Sequence, residues 1–353
     1  LLPDPKNFRR LLLAWYKKNQ RDLPWRKNTD PYRVLVSELM LQQTQVKTVL
    51  PYYSKFLTRF PNARALAAAS QESVLASWAG LGYYRRARFL HAAAKAVAKQ
   101  GFPQSAEGLL DLPGVGAYTA AAVGSISFGL PLAVVDGNVI RVLSRVLALD
   151  KDPTTGQGKR ELDSAAQALL DPSHPGDFNQ ALMELGALIC AQTKPRCEAC
   201  PLAAHCLAFR GKTQESYPRL PTPVSTLKIH KSIALITKGA NVLAMPRTLS
   251  GRAGDEGRML GYWHFPELEL KKGERPEAMA IHLAGENAKL KIRLASFLHS
   301  ITRYRIKVDA YLFTSEKALK GWRWIGLREL HSKPLASAER RLLKALVAFG
   351  SKD

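Results

Sequence analysis

Acidic residues are in short supply: 29 Asp and Glu stand against 52 Lys and Arg, leaving a formal charge of +23 and a pI near 10. A surface so unbalanced is drawn to polyanions. Long apolar runs are missing too. No stretch approaches the ~20 residues a membrane-spanning helix needs, and no N-terminal segment has the layout of a secretory signal. A nucleic acid is therefore a better partner than a membrane. Cysteine is scarcer still, at four in 353 residues. Four thiols in one short window do not make the disulfide frame of a secreted protein, so an intracellular location is expected, cytoplasm or nucleoid if the source is bacterial.

What cysteine there is falls at Cys190, Cys197, Cys200 and Cys206, a C-x6-C-x2-C-x5-C pattern. Such clustering points to four thiolates around one metal centre. Zinc usually takes two tight pairs, and only Cys197 and Cys200 are so spaced. A 4Fe-4S cubane, with corners further apart, suits uneven spacing better, though zinc stays open on spacing alone. Lys194, Arg196 and Arg210 flank these loops and would offer a basic surface to phosphate.

The rest of the first 210 residues follows a helical period. Phe8, Leu11, Leu12, Trp15 and Tyr16 make one apolar stripe. A loop carrying Leu23-Pro24-Trp25-Arg26 leads to Pro31, which opens a helix (VLVSELMLQQT) that is apolar on most faces and should be buried. Glu38 lies in its middle. Burial raises a carboxyl towards the neutral range, as a general acid requires; the plainer alternative is a core glutamate held by Arg26 or Arg33. Gln42, Gln43 and Gln45 follow at the helix end. Further helices are expected over residues 46–60, 71–79 and 84–99. Between the last two lies a glycine turn with Tyr83, Tyr84, Arg85 and Arg86, able to wedge into a duplex or simply to cap a core.

The stretch from Leu112 to Arg141 is the most distinctive. Pro113, Gly114 and Gly116 form a tight turn before a helix of small residues, whose first N–H groups can receive a phosphate. The stretch continues to Asp136-Gly137-Asn138, an expected helix start at which N–H groups hold the Asp136 carboxylate. Helices over 136–147, 159–170 and 177–189 then lead to the cysteines.

Leu112-Pro113-Gly114-Val115-Gly116 with Val135-Asp136-Gly137 resembles the helix-hairpin-helix and Gly/Pro-Asp loop of the base-excision DNA glycosylases related to endonuclease III, and the cysteine spacing is that family's 4Fe-4S spacing. Leu23-Pro24-Trp25-Arg26, Ser37 to Thr44, Gly80 to Tyr84 and Val135 to Val139 resemble its adenine-acting, MutY-type branch. The resemblance implies excision of adenine opposite 8-oxoguanine or G in duplex DNA. Glu38 would be the acid at the purine ring and Asp136 the carboxylate beside the sugar, with Tyr118 and Asn138 near Asp136. Leu23, Trp25, Arg26, Met40 and Gln180 would surround the flipped base, Gln43 and Tyr83 would probe the duplex, and Gly114 and Gly116 would hold its backbone. Besides the cluster, a monovalent cation at the hairpin is an expected cofactor. Bifunctional members carry a lysine two residues beyond the last hairpin glycine. Tyr118 stands there, so a monofunctional monomer that leaves the abasic site uncut is expected.

After Cys206 the composition changes. Residues 211–226 (GKTQESYPRLPTPVST) read as a linker between a helical catalytic region, 1–210, and an α+β domain, 227–353. Strands are expected over 228–238, 241–246 and 297–314, and helices over 275–289 and 337–349. Gly261-Tyr262-Trp263-His264-Phe265-Pro266 resembles the Nudix-like domain with which MutY-type enzymes recognise 8-oxoguanine. The metal-binding glutamate pairs of a true Nudix box are absent, so binding without hydrolysis is expected. Ile301-Thr302-Arg303 stands where that branch has Phe-Ser-His in the lesion-contacting loop, and Thr302 would keep the hydroxyl. Two alternatives to the adenine glycosylase are an endonuclease III-like enzyme acting on oxidised pyrimidines, and a non-catalytic DNA-binding module.

Overall fold

The computed structural model describes residues 4–221, 225–247, 261–301 and 304–350, with the backbone alone at Ile301. Two compact units emerge: residues 1–68 with 89–222, and residues 69–88 with 223–353. No described helix is long and apolar enough to cross a membrane.

The first unit is helical. It contains α1 (Pro5–Asn19), the short 3-10 turn Pro24–Arg26, α2 (Pro31–Leu41), α3 (Val46–Arg59) and α4 (Ala63–Ala68). After α5 (Gln71–Trp78), which belongs to the other unit with the first turn of α6 (Arg85–Gln100), come the rest of α6, α7 (Ala106–Leu110), α8 (Ala117–Phe128), α9 (Gly137–Val146), α10 (Gly156–Leu169), α11 (Pro175–Leu188) and α12 (Leu207–Arg210). Caps set several starts. Asp4, Asp30, Ser105, Asp136 and Thr155 each accept first-turn N–H bonds with their side chains, satisfying donors that a helix leaves unpaired. One apolar core joins the inner faces of α1, α9, α10 and α11 to the cysteine loop through Leu202.

Among the described residues the second unit is built on a seven-stranded sheet: β1 (Leu227–Lys238), β2 (Asn241–Pro246), β3 (Trp263–His264), β4 (Glu267–Glu269), β5 (Lys289–Ile301), β6 (Tyr304–Thr314) and β7 (Arg323–Gly326). The order is β3-β2-β1-β6-β5, with β4 on β1 and β7 on β2. β1 and β6 run parallel while the other pairs are antiparallel. Side chains alternate between two cores. Ile233, Leu235, Val308 and Ala310 join Leu342 and Leu346 of α15 (Ser337–Gly350), with α14 (Leu327–Ser332) beside it. On the opposite face Ala234, Ile236, Tyr311 and Phe313 pack with Ala280 and Ala284 of α13 (Pro276–Ala284).

Several sequence expectations need correction. The expected strand over 297–314 is an antiparallel pair, β5 and β6, with Ile301 opposite Tyr304. The expected helix to residue 289 stops at Ala284, where Gly285 ends it and leaves Lys289 to open β5. β3, β4 and β7 are each four residues or fewer, too short for a period-2 signal. The boundary shifts as well. Residues 69–88 belong with the sheet: the Tyr84 and Tyr262 rings stack at 3.8 Å, the Tyr262 hydroxyl donates to the Leu75 carbonyl at 3.4 Å, and Lys333 pairs with Glu72 at 3.0 Å. Conversely, the first part of the expected linker is structured. Tyr217 is buried, donates its hydroxyl to Asp150 and accepts from Arg145 at its carbonyl.

Candidate active site

α7, the turn and α8 form the hairpin. Gly114 has φ +75°, and a Cβ there would lie 2.2 Å from the Phe89 ring. Only glycine fits. At Gly116, which starts α8 with no side-chain cap, nothing lies within 4 Å of where a Cβ would be. The α8 start is thus open on its Gly116 side, and a helix N-terminus of this kind is where a phosphate can bind.

The small residues of α8 let neighbours come close. A Cβ at Gly176 of α11 would meet the Ser125 carbonyl of α8 at 2.8 Å. Asn179, 1 % exposed, donates to Ser125 Oγ and the Leu132 carbonyl and accepts from Val134 N–H. It thereby pins the segment leading to Asp136. That carboxylate caps α9: Oδ1 accepts from the N–H groups of Asn138 and Val139 at 2.8 and 2.7 Å, and Oδ2 from Asn138 Nδ2 at 2.8 Å. Arg141, one turn on, donates to Asn138 Oδ1 and to the carbonyls of Gly186 and Cys190.

Glu38 is 6 % exposed on α2. The alternative of an arginine partner does not hold: Arg33 pairs with Asp30 and Arg26 with Glu184. The bonded partner is instead Tyr118, whose hydroxyl donates to Oε2 at 2.6 Å. Burial pushes the Glu38 carboxyl up to about 7; the Tyr118 hydrogen bond and Arg26 oppose this, and the nearby Asp136 charge adds to it. Burial likewise holds the Tyr118 phenol well above its usual value, so it is a neutral donor. A carboxyl that keeps its proton near neutrality, close to a carboxylate fixed by three N–H donors, can protonate a leaving base and stabilise a cation.

The remaining expected contacts are distributed unevenly. Leu23, Trp25 and Met40 are buried, with Trp25 edge-on to Tyr53 at 5.3 Å. Arg26 is engaged by Glu184 and faces the Tyr16 ring. Gln180 is half-buried on α11, and Gln43, just past α2, is exposed. Tyr83 is 42 % exposed in the second unit. Of its neighbours, Tyr84 is core and Arg86 is buried, donating to the carbonyls of Leu81, Gly82 and Tyr83; neither is available to hold a phosphate. Thr302 and Arg303, and the side chain of Ile301, lie outside the described residues.

The four cysteines line one cavity of about 30 Å³ with Val142, Arg145, Leu185 and Ile189. Neither Glu38 nor Asp136 lines it. Arg145 Nη1 donates to Cys190 Sγ at 3.3 Å, and its remaining N–H groups hold the carbonyls of Ala191, Gln192 and Tyr217. Burial, followed by the neighbouring thiolates, pushes Cys200 up to about 12. Among the described residues no three His, Cys, Asp or Glu are arranged to hold a single metal ion. Arg196 bonds the Leu188 carbonyl, so its guanidinium serves the loop. Nothing in the sequence marks Asn179, Arg141, Arg145 or Glu184, because polar residues at helical spacing there look solvent-facing.

Residues 36–167 match the model of the HhH-GPD superfamily base excision DNA repair proteins. An adenine DNA glycosylase of Mus musculus is 33% identical across 97% of this chain and 78% of its own length. The chain belongs to the adenine DNA glycosylase family. It is a base-excision DNA glycosylase. The Arabidopsis thaliana relative is 35% identical over 96% of this chain, which spans 64% of that protein's length. A thermostable thymine-DNA glycosylase structure is similar over 59% of the glycosylase and 97% of its own chain, with a TM-score of 0.54 and 31% identity.

Proposed function

We propose that this glycosylase removes adenine opposite 8-oxoguanine or guanine in duplex DNA, as an intracellular monomer, and leaves the abasic site uncut. The observation that carries this is the buried Glu38 carboxyl, bonded to Tyr118 and raised to about 7. Adenine leaves poorly as an anion. Glu38 gives its proton to a ring nitrogen of the flipped purine, and the N-glycosidic electron pair leaves with the base. Asp136 faces the resulting sugar cation until water adds at the sugar carbon and gives up one proton to a carboxylate, which restores the acid. Tyr118 offers no amine, so no Schiff base forms to cut the strand. Asn138 orients Asp136, while Leu23, Trp25, Arg26, Met40 and Gln180 enclose the base. Gly114 and Gly116 bring the hairpin to a phosphate, with a monovalent cation at the same turn. Gln43 and Tyr83 probe the duplex.

Cys190, Cys197, Cys200 and Cys206 would hold a 4Fe-4S cluster. Four sulfurs around one largely apolar cavity, with an arginine donor on Cys190, fit such a group. When bound it supplies a four-thiolate crosslink to loop 190–206. The sheet unit is read as Nudix-like and as the reader of 8-oxoguanine through Ile301, Thr302 and Arg303. α13 carries a single carboxylate, Glu277, which supports binding over metal-assisted hydrolysis.

Single-turnover excision on duplexes carrying A opposite 8-oxoguanine tests the proposal. Glu38→Gln and Asp136→Asn should each abolish product, and borohydride should trap no adduct. Full activity of Glu38→Gln would refute it. Iron content and visible absorbance test the cluster.

A further inference from the structure

Two buried glutamates lie near the same arginine and meet opposite fates. Glu184 on α11 is fully buried. It takes both arms of Arg21 (Nε to Oε1 at 2.8 Å, Nη2 to Oε2 at 2.6 Å), the Arg21 backbone N–H at 2.9 Å, and Arg26 Nη2 on Oε2 at 2.9 Å. The arginines hold its carboxyl down at about 2, against the opposing pull of burial. Glu38, also buried, is close enough for Arg26 to act on its charge, yet it bonds Tyr118.

The Arg26 guanidinium is almost enclosed, its side chain 11% exposed. A buried cation seeks the nearest anion, and a carboxyl joined to arginine ionises. Were Arg26 to turn to Glu38, the proton would be lost. We propose that Glu184 is a positioning residue that anchors the Arg26 guanidinium away from Glu38, so that Glu38 keeps the proton it delivers. Gln180 lies one helical turn before Glu184 on the same face of α11, and Met183 Sδ is 3.8 Å from the Tyr118 hydroxyl. The anchor thus sits on a helix that already borders the pair. The other groups acting on Glu38 are Tyr118 from α8 and Asp136 from the start of α9. Around Arg26 stand Tyr16, a phenol that burial keeps neutral and on which Asp177 also acts, the Arg21 carbonyl at 3.4 Å, and the Arg21 guanidinium on the same carboxylate. Among the described residues Glu184 is the carboxylate that pairs with Arg26.

This inference rests on Glu38 acting as the acid. Its test is the pH profile of single-turnover excision by the full chain. Glutamine at 184 keeps the shape and removes the charge. Glu184→Gln should move the midpoint of the alkaline limb down by about one pH unit, about a tenfold loss at pH 8 with a smaller loss below pH 6. Adding Arg26→Met should bring the midpoint back up. A rate lowered evenly at every pH, with the midpoint unmoved, would overturn the proposal. If Glu184→Gln does not fold, Glu184→Asp, too short to reach both arginines, must shift the limb the same way, and an unmoved limb there overturns the proposal too. An active Glu38→Gln would instead sink the underlying function, so the two failures are distinct.

Discussion

Replacing Glu38 with glutamine should destroy base removal and at the same time stabilise the protein at alkaline pH. The folded chain holds the Glu38 proton to about pH 7, against an ordinary value of 4.5. A carboxyl raised on folding contributes its stability in full below the unfolded value and loses it as pH rises through the folded one. At pH 8 the native state therefore carries an ionisation penalty of about 3 kcal/mol, at about 1.4 kcal/mol per pH unit; at pH 5 the penalty is below about 1 kcal/mol. Glutamine has nearly the same shape and still offers Tyr118 an acceptor, but it cannot ionise. Urea unfolding of both proteins at pH 5 and pH 8 isolates the effect. Every other titrating group, Glu184 included, is shared and cancels in the difference. The advantage of Glu38→Gln should grow by about 2 kcal/mol between the two pH values. An advantage that does not change with pH would mean that Glu38 is not held protonated by burial.

Tyr118→Phe removes the hydrogen bond that favours the charged carboxylate. The alkaline limb of the excision profile should therefore rise by about one pH unit even as the maximum rate falls; a limb that moves down would contradict the geometry. Gly114→Ala forces a side chain into positive φ and against Phe89, so thermal unfolding should show a loss of at least about 2 kcal/mol, with weaker binding to undamaged duplex. Gly186→Ala would set a methyl 2.5 Å from Asn138 Cβ. Excision should slow by roughly tenfold or more while duplex affinity, measured by anisotropy, stays near wild type.

Much of the site was legible because its parts are local. The hairpin glycines, the Asp-Gly-Asn helix start and the cysteine spacing each lie within one short segment, where turn chemistry and capping leave a sequence signature. Glu38 stood out through a mismatch, a carboxylate on an otherwise apolar helix. Its partner did not, since Tyr118 is 80 residues away and only the packing of α2 on α8 brings the two together. The same limit explains Glu184: nothing in PGDFNQALMELGAL shows that it faces inward to two arginines. In the second unit the short strands failed for want of length, and the tie between residues 69–88 and the sheet rests on aromatic stacking that no local pattern announces.

α9 links the cysteine loop to the Asp136 end of the candidate site, although neither Glu38 nor Asp136 lines the cysteine cavity. Its first residue follows Asp136, and Arg141 and Arg145 stand one and two turns further on. Arg141 reaches back to Asn138, which itself bonds Asp136, and forward to the Cys190 carbonyl. Arg145 grips Cys190 Sγ and two carbonyls beyond it. A displacement of loop 190–206 therefore withdraws one acceptor from Arg141, which keeps Asn138 and the Gly186 carbonyl, and three from Arg145. The Asp136 carboxylate keeps its backbone donors, and its Oδ2, bonded by the Asn138 amide, moves only if Arg141 and Asn138 move. Damage at the cysteines should therefore lower the thermal unfolding midpoint first, and slow excision only once Arg141 itself shifts.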